Sequence, residues 1–281
     1  MVFLNGKMLP VEEASISVLD RGFLLGDGVY EVIPAYGGKL FRLPQHLERL
    51  QSSLDAIRIP NPHSSQEWQT ILQHLVDEHG TDDQSVYLQI TRGVAAKRDH
   101  AFPNDITPTV FAMSNPITPI AEVTLKTGIA AITLDDIRWK RCDIKAITLL
   151  ANAMLRQEAH DAGAAEAILI KDGEALEGAA SNLFIVKDDI IATQPKGPHL
   201  LPGVTRDLVL ELAAQHDMPF VERAISEKEL HTADEVWLTS STKEILPVTR
   251  LNSSPVKDGK PGPAWEKISE YYRQYKITLR G

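Results

Sequence analysis

The sequence predicts an α+β protein with two domains. Apolar strand-like runs are mixed irregularly with segments whose apolar residues recur at helical spacing, unlike a regular strand-helix-strand array. The chain has 281 residues, 43% of them hydrophobic, and can bury the cores of two modest domains. Residues 114–119, Ser-Asn-Pro-Ile-Thr-Pro, indicate a linker. We therefore assign residues 1–115 to an N-terminal α/β domain, 116–121 to an interdomain linker and 122–281 to a larger C-terminal domain.

The N-terminal domain is predicted to combine strands with two helices. Strands are expected over residues 31–36, 86–92 and 109–113, and helices over 44–57 and 65–79. The first helix has a proline in its first turn and its leucines on one stripe, which is typical of a helix with one buried face.

The C-terminal domain is predicted to be a sheet or barrel partly covered by helices. A helix is expected over 148–162, ended by Gly163, and a hairpin turns at Asp172-Gly173. A strand over 183–186 and a helix after Pro202-Gly203 follow.

The charge and composition exclude several function classes. Lys and Arg number 29 against 38 Asp and Glu, giving a formal net charge of -9, which disfavours nucleic acid and anionic membranes as partners. Cys142 is the only cysteine, which excludes an intrachain disulfide and is typical of a reducing compartment. The sequence shows neither the apolar core of a secretory signal nor a run of about 20 apolar residues. We expect a cytoplasmic protein.

Three short motifs do not hold up as functional sites. Residues 26–28, Gly-Asp-Gly, lack the third glycine of a dinucleotide-binding fingerprint. Residues 240–243 match Ser-x-x-Lys, but the companion motifs of serine acylases are absent. His74 and His79 are five residues apart and do not share a helix face, so zinc and other metals are not predicted.

Lys145 is the first residue with a specific chemical interpretation. It lies in the apolar stretch Ile-Lys-Ala-Ile just before a predicted helix. Such surroundings are expected to lower the pKa of a lysine, and only the neutral amine attacks an aldehyde to form a Schiff base. Alternatively, the lysine reaches the surface or pairs with Asp143.

Three segments together carry a family resemblance. These are Arg-Cys-Asp-Ile-Lys at 141–145, Glu-Gly-x-x-Ser-Asn-x-Phe at 177–184 and Asp-Arg-Gly through Val-Tyr-Glu at 20–31. In combination they resemble the class IV, or fold-type IV, pyridoxal-phosphate aminotransferases, and most closely the D-amino-acid transaminases, over about residues 4–248. The resemblance implies a small α/β N-terminal domain, a C-terminal domain built on a pseudo-barrel, and pyridoxal 5'-phosphate held on Lys145.

The resemblance also implies which residues bind this cofactor. Glu177 would face the ring nitrogen, because a carboxylate there favours the protonated pyridine. Taken alone, Glu177 would be interpreted as a solvent-facing hairpin residue, and Arg49 as an ordinary helix-surface residue. The phosphate would be bound at a helix N-terminus, where backbone amides and the helix dipole favour anions. The implied cofactor-binding residues are Lys145, Glu177, Arg49, Val204, Thr205, Ser241, Thr242 and Leu201.

Substrate binding is implied at the basic loop after the second strand. D-amino-acid transaminases hold the substrate carboxylate with an Arg-x-His and the tyrosine of Val-Tyr-Glu, which here are Arg98, His100 and Tyr30. The resemblance implies that this loop crosses a homodimer interface. The alternative is an exposed basic loop. The sequence departs from the pattern at Lys97 and at Ala179-Ala180, where relatives often carry serines.

The predicted reaction is ping-pong transamination between a D-amino acid, such as D-alanine, and a 2-oxo acid, such as 2-oxoglutarate or pyruvate. Lys145 is the predicted catalytic acid and base. A branched-chain L-amino-acid aminotransferase is the second hypothesis, and aminodeoxychorismate lyase is the third. A pyridoxal-phosphate binder without turnover is a further alternative, and primary-amine donors stay open.

Overall fold

The computed structural model describes residues 1–80, 82–104 and 106–280. Of residue 280 it describes only the backbone. The chain divides into two compact units, the first made of Met1–Ile117 and Ile144–Leu149 with the final residues from Leu279, the second of Thr118–Asp143 and Leu150–Thr278. The segment Ile144–Leu149 was assigned to the C-terminal domain from sequence, but its contacts are with the first unit. Lys145 therefore belongs to the first unit.

The first unit is built on a six-stranded antiparallel sheet with the order β2-β1-β6-β5-β3-β4. Its elements are β1 (Val2–Leu4), β2 (Lys7–Leu9), α1 (Arg21–Leu25), β3 (Gly28–Tyr36), β4 (Lys39–Leu40), α2 (Leu43–Ala56), α3 (Ser65–Asp77), β5 (Gln84–Thr91) and β6 (Thr109–Pro116). The predicted stripe of α2 is buried together with α3 in one apolar core, to which alternate residues of β3 and β5 contribute.

The predicted linker begins inside a strand. β6 continues to Pro116, which pairs with Gln84 of β5. A proline is tolerated there because β1 pairs only as far as Met113, so the missing N–H of Pro116 removes no hydrogen bond to that neighbour. The two prolines therefore mark the end of a strand as well as the start of a connection.

The second unit is built on a nine-stranded mixed sheet. Its elements are α4 (Glu122–Thr127), β7 (Ile129–Asp135), α5 (Leu150–Asp161), β8 (Glu166–Lys171), β9 (Glu174–Gly178), β10 (Asn182–Lys187), β11 (Ile190–Thr193), α6 (Val204–Gln215), β12 (Phe220–Glu222), α7 (Glu227–His231), β13 (Glu235–Ser240), β14 (Glu244–Leu251), β15 (Ser254–Pro255) and α8 (Pro263–Arg280).

Six of these strands close on themselves and confirm the predicted pseudo-barrel. The pairings run from β10 through β13, β14, β7, β8 and β9, and β9 returns to β10. The closing pair is Glu177 of β9 with Asn182 of β10. This pair closes the barrel and places the predicted ring-nitrogen partner at the seam.

Two helices of the second unit, α5 and α6, were predicted from the sequence, and α4, α7 and α8 were not. α5 and α6 correspond to the helices expected over 148–162 and after Pro202-Gly203, and they pack against β8 and β13. The buried Glu235 carboxylate accepts hydrogen bonds from the N–H groups of Ala264 and Trp265 in the first turn of α8. Within the described ranges, no helix combines the length and apolar character needed to cross a bilayer.

Candidate active site

Lys145 lies in an irregular segment of the first unit beside β3. Its carbonyl accepts a hydrogen bond from the Tyr30 N–H at 2.9 Å, and its own N–H donates to the Ser53 hydroxyl at 3.2 Å. The next residue, Ala146, forms an antiparallel bridge with Val29. These backbone contacts place the Lys145 Nζ 4.1 Å from the centroid of the Tyr30 ring. The predicted catalytic amine therefore contacts a predicted substrate-binding side chain.

Arg49 lies on α2 and pairs with Glu31 of β3. Its Nε and Nη2 donate to the two carboxylate oxygens of Glu31 at 2.8 and 2.7 Å. The Nδ1 of His46 lies 2.8 Å from Glu31 Oε2, and an ionised carboxylate requires that nitrogen to be the donor. The arginine predicted to bind phosphate is therefore oriented by two groups to which the sequence assigned no role.

The pKa of the Glu31 carboxyl is strongly depressed. Complete burial would raise the pKa, but the charge and hydrogen bonds of Arg49, together with the hydrogen bond from His46, outweigh it and lower the pKa to about 2. Burial also lowers the pKa of His46, against the opposing effect of Glu31. At neutral pH this group therefore consists of a carboxylate, a guanidinium and a neutral imidazole.

Arg98 and His100 lie on the loop between β5 and β6, and both are exposed. The loop leaves β5 through Gly93, whose φ is 100° and whose β-carbon, if present, would lie 2.0 Å from the Thr107 carbonyl oxygen. A side chain at position 93 would therefore clash with the chain returning to β6. The loop geometry depends on this glycine.

In the second unit, Glu177 is buried at the barrel seam, where three groups donate to its carboxylate. Arg138 Nη1 donates to Oε1 at 2.5 Å. Oε2 accepts hydrogen bonds from the Asn182 side-chain amide at 3.0 Å and from the Leu201 N–H at 3.1 Å. The Asn182 amide also donates to the Leu201 carbonyl at 2.8 Å. Asn182 thus ties Glu177 to the segment that precedes α6.

The pKa of Glu177 is raised to about 7, in contrast to Glu31. Burial is the largest cause, and the nearby charge of Asp136 adds to it. Arg138 opposes the rise, but its Nε and Nη2 donate to the two oxygens of Asp136, each at 2.9 Å. The guanidinium is therefore divided between two carboxylates, and the pKa of Arg138 is raised by its acidic neighbours although burial acts to lower it.

The N-terminus of α6 is close to Glu177 through Leu201 and Asn182. Gly203 is the N-cap residue, and the helix has no side-chain cap. A β-carbon on Gly203 would lie 1.9 Å from Asn182 Oδ1, so only glycine fits this approach. The first helical residues, Val204 and Thr205, are those predicted to bind phosphate. Their amides belong to the turn whose N–H groups have no partners within a helix.

Ser241 and Thr242 lie in the turn between β13 and β14 and are half-buried. Just before them, the Thr239 hydroxyl is buried and has no hydrogen-bond partner among the described residues. Thr239 is the register partner of Asn182, which in turn is the partner of Glu177. A buried hydroxyl without a partner in this row is consistent with a polar ligand.

A family model confirms the resemblance. The model for amino-transferase class IV matches residues 28–251, which is most of the chain. The chain belongs to the class IV aminotransferases. Members of this family use pyridoxal phosphate, so this class IV aminotransferase is a pyridoxal-phosphate-dependent transferase.

Relatives and solved structures match this class IV aminotransferase over nearly its full length. A D-alanine aminotransferase from Bacillus licheniformis is 42% identical over 95% of this chain and 94% of its own. One from Staphylococcus aureus is 36% identical over 98% of this chain and 97% of its own. A branched-chain aminotransferase from the archaeon Thermoproteus uzoniensis, solved with norvaline, superposes with a TM-score of 0.87 at 27% identity, over 99% of this chain and 94% of that chain.

Each unit of this class IV aminotransferase has residues that suit part of the cofactor. The second unit offers an uncapped helix N-terminus, the buried Thr239 hydroxyl and a buried carboxylate at the barrel seam. These features suit a phosphate and a protonated ring nitrogen. The first unit offers the Lys145 amine and the buried Arg49 guanidinium.

The surface alternatives for two predicted residues are wrong. Arg49 is only 8% exposed and Glu177 only 3%, so neither is a solvated surface residue. Asp143, the alternative partner considered for Lys145, accepts hydrogen bonds from Arg141 on both of its oxygens, each at 2.9 Å. The roles of all the predicted site residues stay predictions.

Sequence reasoning missed the residues that orient the predicted ones. Arg138 belongs to no motif, and Glu31 and Asn182 count in the sequence only as letters of the family motifs. For Glu31 and Asn182, the signal that could have found them is a charged or amide residue within a strand, since such residues are rarely buried without a partner. Arg138 lies after the end of β7 and carries no such signal.

Proposed function

We propose that this class IV aminotransferase catalyses ping-pong transamination between a D-amino acid with a D-alanine-like side chain and a 2-oxo acid, 2-oxoglutarate or pyruvate. The observation that carries the proposal is the contact of the Lys145 amine with Tyr30, in a chain that also has the Arg98-x-His100 loop. Its D-alanine aminotransferase relatives are 36–42% identical, whereas the branched-chain enzyme of similar fold is 27% identical.

Seven residues besides Lys145 are proposed to hold pyridoxal phosphate. Arg49, Val204, Thr205, Ser241 and Thr242 would bind the phosphate, Leu201 would pack on the ring, and Glu177 would face the ring nitrogen. When bound, the cofactor supplies an electron sink that makes the substrate Cα–H bond acidic. Glu177 favours this chemistry because an ionised carboxylate stabilises a protonated ring nitrogen. A carboxyl with a pKa of about 7 can ionise at neutral pH when such a cation lies beside it.

Lys145 is the proposed catalytic acid and base. Its Nζ would remove the substrate Cα proton and return it to the aldehyde carbon of the cofactor. For the 2-oxo acid, the same two proton transfers would run in reverse. The backbone hydrogen bonds of Lys145 and its contact with Tyr30 hold the amine beside the proposed substrate-binding tyrosine. A base confined to one side acts on one enantiomer, so handedness depends on where the carboxylate is bound.

Tyr30, Arg98 and His100 are the proposed carboxylate-binding residues. A guanidinium with additional donors is the usual protein partner of a carboxylate. We further propose that the loop carrying Arg98 and His100 acts across a homodimer interface.

The surface formed by residues 11–23 supports this assembly. It exposes Val18 and Phe23 to 70% and 68%, together with Val11, Ile16 and Leu19. A run of exposed apolar side chains is typical of an interface, and a second copy of this chain is the proposed occupant.

Small-molecule substrates are the other proposed partners. A cytoplasmic location agrees with the single cysteine, and neither nucleic acid nor membrane is expected as a partner, given the charge of -9.

The decisive assay incubates the protein with D-alanine or with L-leucine, each with 2-oxoglutarate, and resolves the glutamate formed by chirality. D-glutamate from D-alanine is expected. L-glutamate from L-leucine with D-alanine inert would establish the branched-chain hypothesis instead. Aminobenzoate and pyruvate formed from aminodeoxychorismate would establish the lyase.

The role of Lys145 is tested by replacement. Lys145→Ala is expected to abolish turnover and the borohydride-reducible adduct with the cofactor. Lys145→Arg keeps the charge but supplies no neutral amine, and it is expected to be equally inactive. An adduct found on another lysine in the wild-type protein would contradict the assignment.

Arg98 has a matched control one residue away. Arg98→Ala is expected to raise the KM for D-alanine and 2-oxoglutarate about tenfold or more, whereas Lys97→Ala, an exposed cation in the same loop, is expected to change KM less than about twofold. Mixing Lys145→Ala subunits with Arg98→Ala subunits tests sharing between copies, because one intact site per mixed dimer restores activity only if the loop acts on the partner.

A further inference from the structure

The loop that carries Arg98 and His100 is held from beneath by a buried arginine. Arg21, the first residue of α1, is only 3% exposed. Its Nη1 donates to the carbonyls of Asp99 at 2.6 Å and Ala101 at 3.3 Å, and its Nη2 donates to the His100 carbonyl at 3.4 Å. One guanidinium thus contacts the backbone on both sides of the predicted carboxylate-binding histidine.

A carboxylate fixes the orientation of this guanidinium. Arg21 Nε donates to Asp27 Oδ2 at 2.7 Å, and Arg92 donates to both Asp27 oxygens, at 2.7 and 2.9 Å. Burial acts to raise the pKa of Asp27, but the two arginines lower it below its usual value. Because Nε is committed to Asp27, the Nη groups of Arg21 are directed at the loop.

The second arginine, Arg92, contacts the loop through the ring of Phe102. The Arg92 guanidinium carbon lies 3.6 Å from the centroid of the Phe102 ring, a cation–π geometry. Its Nη groups also donate to the carbonyls of Ile57 and Arg58, at 2.7 and 3.1 Å, and so connect the loop to the end of α2. The side chains of 98 and 100 are exposed on a loop whose backbone is hydrogen-bonded at 99, 100 and 101 and whose ring at 102 contacts Arg92.

We propose that Arg21, oriented by Asp27, is a positioning residue for the substrate carboxylate, acting through the backbone of the loop and not through contact with substrate. The proposal rests on the function proposed for Arg98 and His100. It follows that both carboxylate substrates, the D-amino acid and the 2-oxo acid, depend on Arg21, because both half-reactions use the same loop. Cofactor binding does not depend on it.

The test is Arg21→Lys, which keeps the positive charge but loses the planar fork that reaches three carbonyls. We expect KM for D-alanine and for 2-oxoglutarate to rise by a similar factor, about tenfold, because the loop loses the hydrogen bonds that position its carboxylate-binding side chains. We expect kcat to fall less than about threefold, because Arg21 does not contact the substrate. The dissociation constant of pyridoxal phosphate is expected to be unchanged. Deuterium uptake by the peptide over residues 97–103 in the holoenzyme is expected to accelerate.

Arg223→Lys is the matched control. Arg223 also forms a forked pair with a carboxylate, Glu229, but in the second unit. This variant is expected to keep the KM values, kcat and exchange of the wild type. Wild-type KM values in Arg21→Lys would overturn the proposal. So would a parallel loss of kcat, cofactor affinity and thermal stability, which would indicate a general structural role.

Phe102→Leu tests the same anchoring without replacing a buried charged residue, and covers the case in which Arg21→Lys does not fold. Phe102 is half exposed, so folding is expected to be retained. We expect KM for both substrates to rise about threefold and exchange over 97–103 to accelerate, because the ring contact with Arg92 is lost. Wild-type values in both measurements would overturn the proposal. If the wild type transaminates neither substrate, the proposed function fails, and the exchange measurements on both variants still test the anchoring.

Discussion

Two buried glutamates, one in each unit, each accept a hydrogen bond from an arginine, yet their pKa values are shifted in opposite directions. Glu31 is 0% exposed, receives two hydrogen bonds from Arg49 and one from His46, and has its pKa lowered to about 2. Glu177 is 3% exposed, receives a single hydrogen bond from Arg138, and has its pKa raised to about 7. An arginine neighbour alone therefore does not determine the charge of a buried carboxyl.

The difference follows the number of N–H groups that each arginine donates to its glutamate. Arg49 donates from Nε and Nη2 to Glu31, whereas Arg138 directs Nε and Nη2 to Asp136 and one further N–H to Glu177. The second carboxylate also repels charge on Glu177. Glu31 is thus committed to holding Arg49, while Glu177 retains the capacity to respond to a cationic ligand. This division agrees with a structural role for the first and a cofactor role for the second.

The largest expected effect is on Glu31. Glu31→Gln leaves Arg49 buried without its charge partner, and breaking a buried pair in this way costs about 4 kcal/mol of unfolding free energy. Urea unfolding of the apoprotein at pH 7 measures it. A loss below about 1 kcal/mol would contradict the assigned pairing.

The pH dependence of stability is expected to have opposite signs at the two sites. The pKa of Glu31 is lowered, so its contribution is complete above its unfolded value of 4.5 and is lost as pH falls towards about 2. The pKa of Glu177 is raised, so its contribution is complete below 4.5 and is lost as pH rises through about 7. Each change amounts to about 3 kcal/mol. The measurement is the unfolding free energy of the apoprotein from pH 3 to 8 for the wild type, Glu31→Gln and Glu177→Gln. The difference between the wild type and each variant, plotted against pH, gives one slope per glutamate. Two slopes of the same sign would refute the contrast.

Glu177→Gln is expected to lower kcat about 100-fold, equivalent to about 2.7 kcal/mol, because a neutral amide does not stabilise a protonated ring nitrogen. Glu177→Asp retains the charge and is the control, with a reduction of no more than about tenfold. Steady-state kinetics with D-alanine and 2-oxoglutarate measure both. A wild-type kcat in Glu177→Gln would remove the proposed cofactor role.

The smallest effect is expected at Glu235, another buried glutamate, which accepts hydrogen bonds from two amides of α8 and from the Trp237 ring at 2.9 Å. Glu235→Gln keeps the shape and can still accept hydrogen bonds, so the loss of unfolding free energy is expected to be about 1 kcal/mol, with kcat and KM unchanged. A loss as large as that of Glu31→Gln would show that burial, and not the arginine, sets the cost.

Local features of the sequence predicted much of the fold. The leucine stripe of α2, the Asp172-Gly173 turn and the glycine before α6 each act within a few residues, and the structure has the expected elements at those places. The end of the N-terminal domain was harder to place, because Pro116 reads as a linker residue until the short length of β1 is known. The membership of Ile144–Leu149 in the first unit depends on contacts with β3 that no local pattern encodes.

The sequence by itself determined the family, the cofactor and the spacing of Lys145, Glu177 and Arg98, because these are carried by short motifs whose letters are read in order. Only the tertiary structure decided that Arg49 pairs with Glu31, that Arg138 is divided between two carboxylates, and that Arg21 anchors the loop at 99–101. The physical reason is that charge and pKa depend on distance and burial in space. Arg21 and Asp99 are 78 residues apart along the chain, yet their atoms lie 2.6 Å apart.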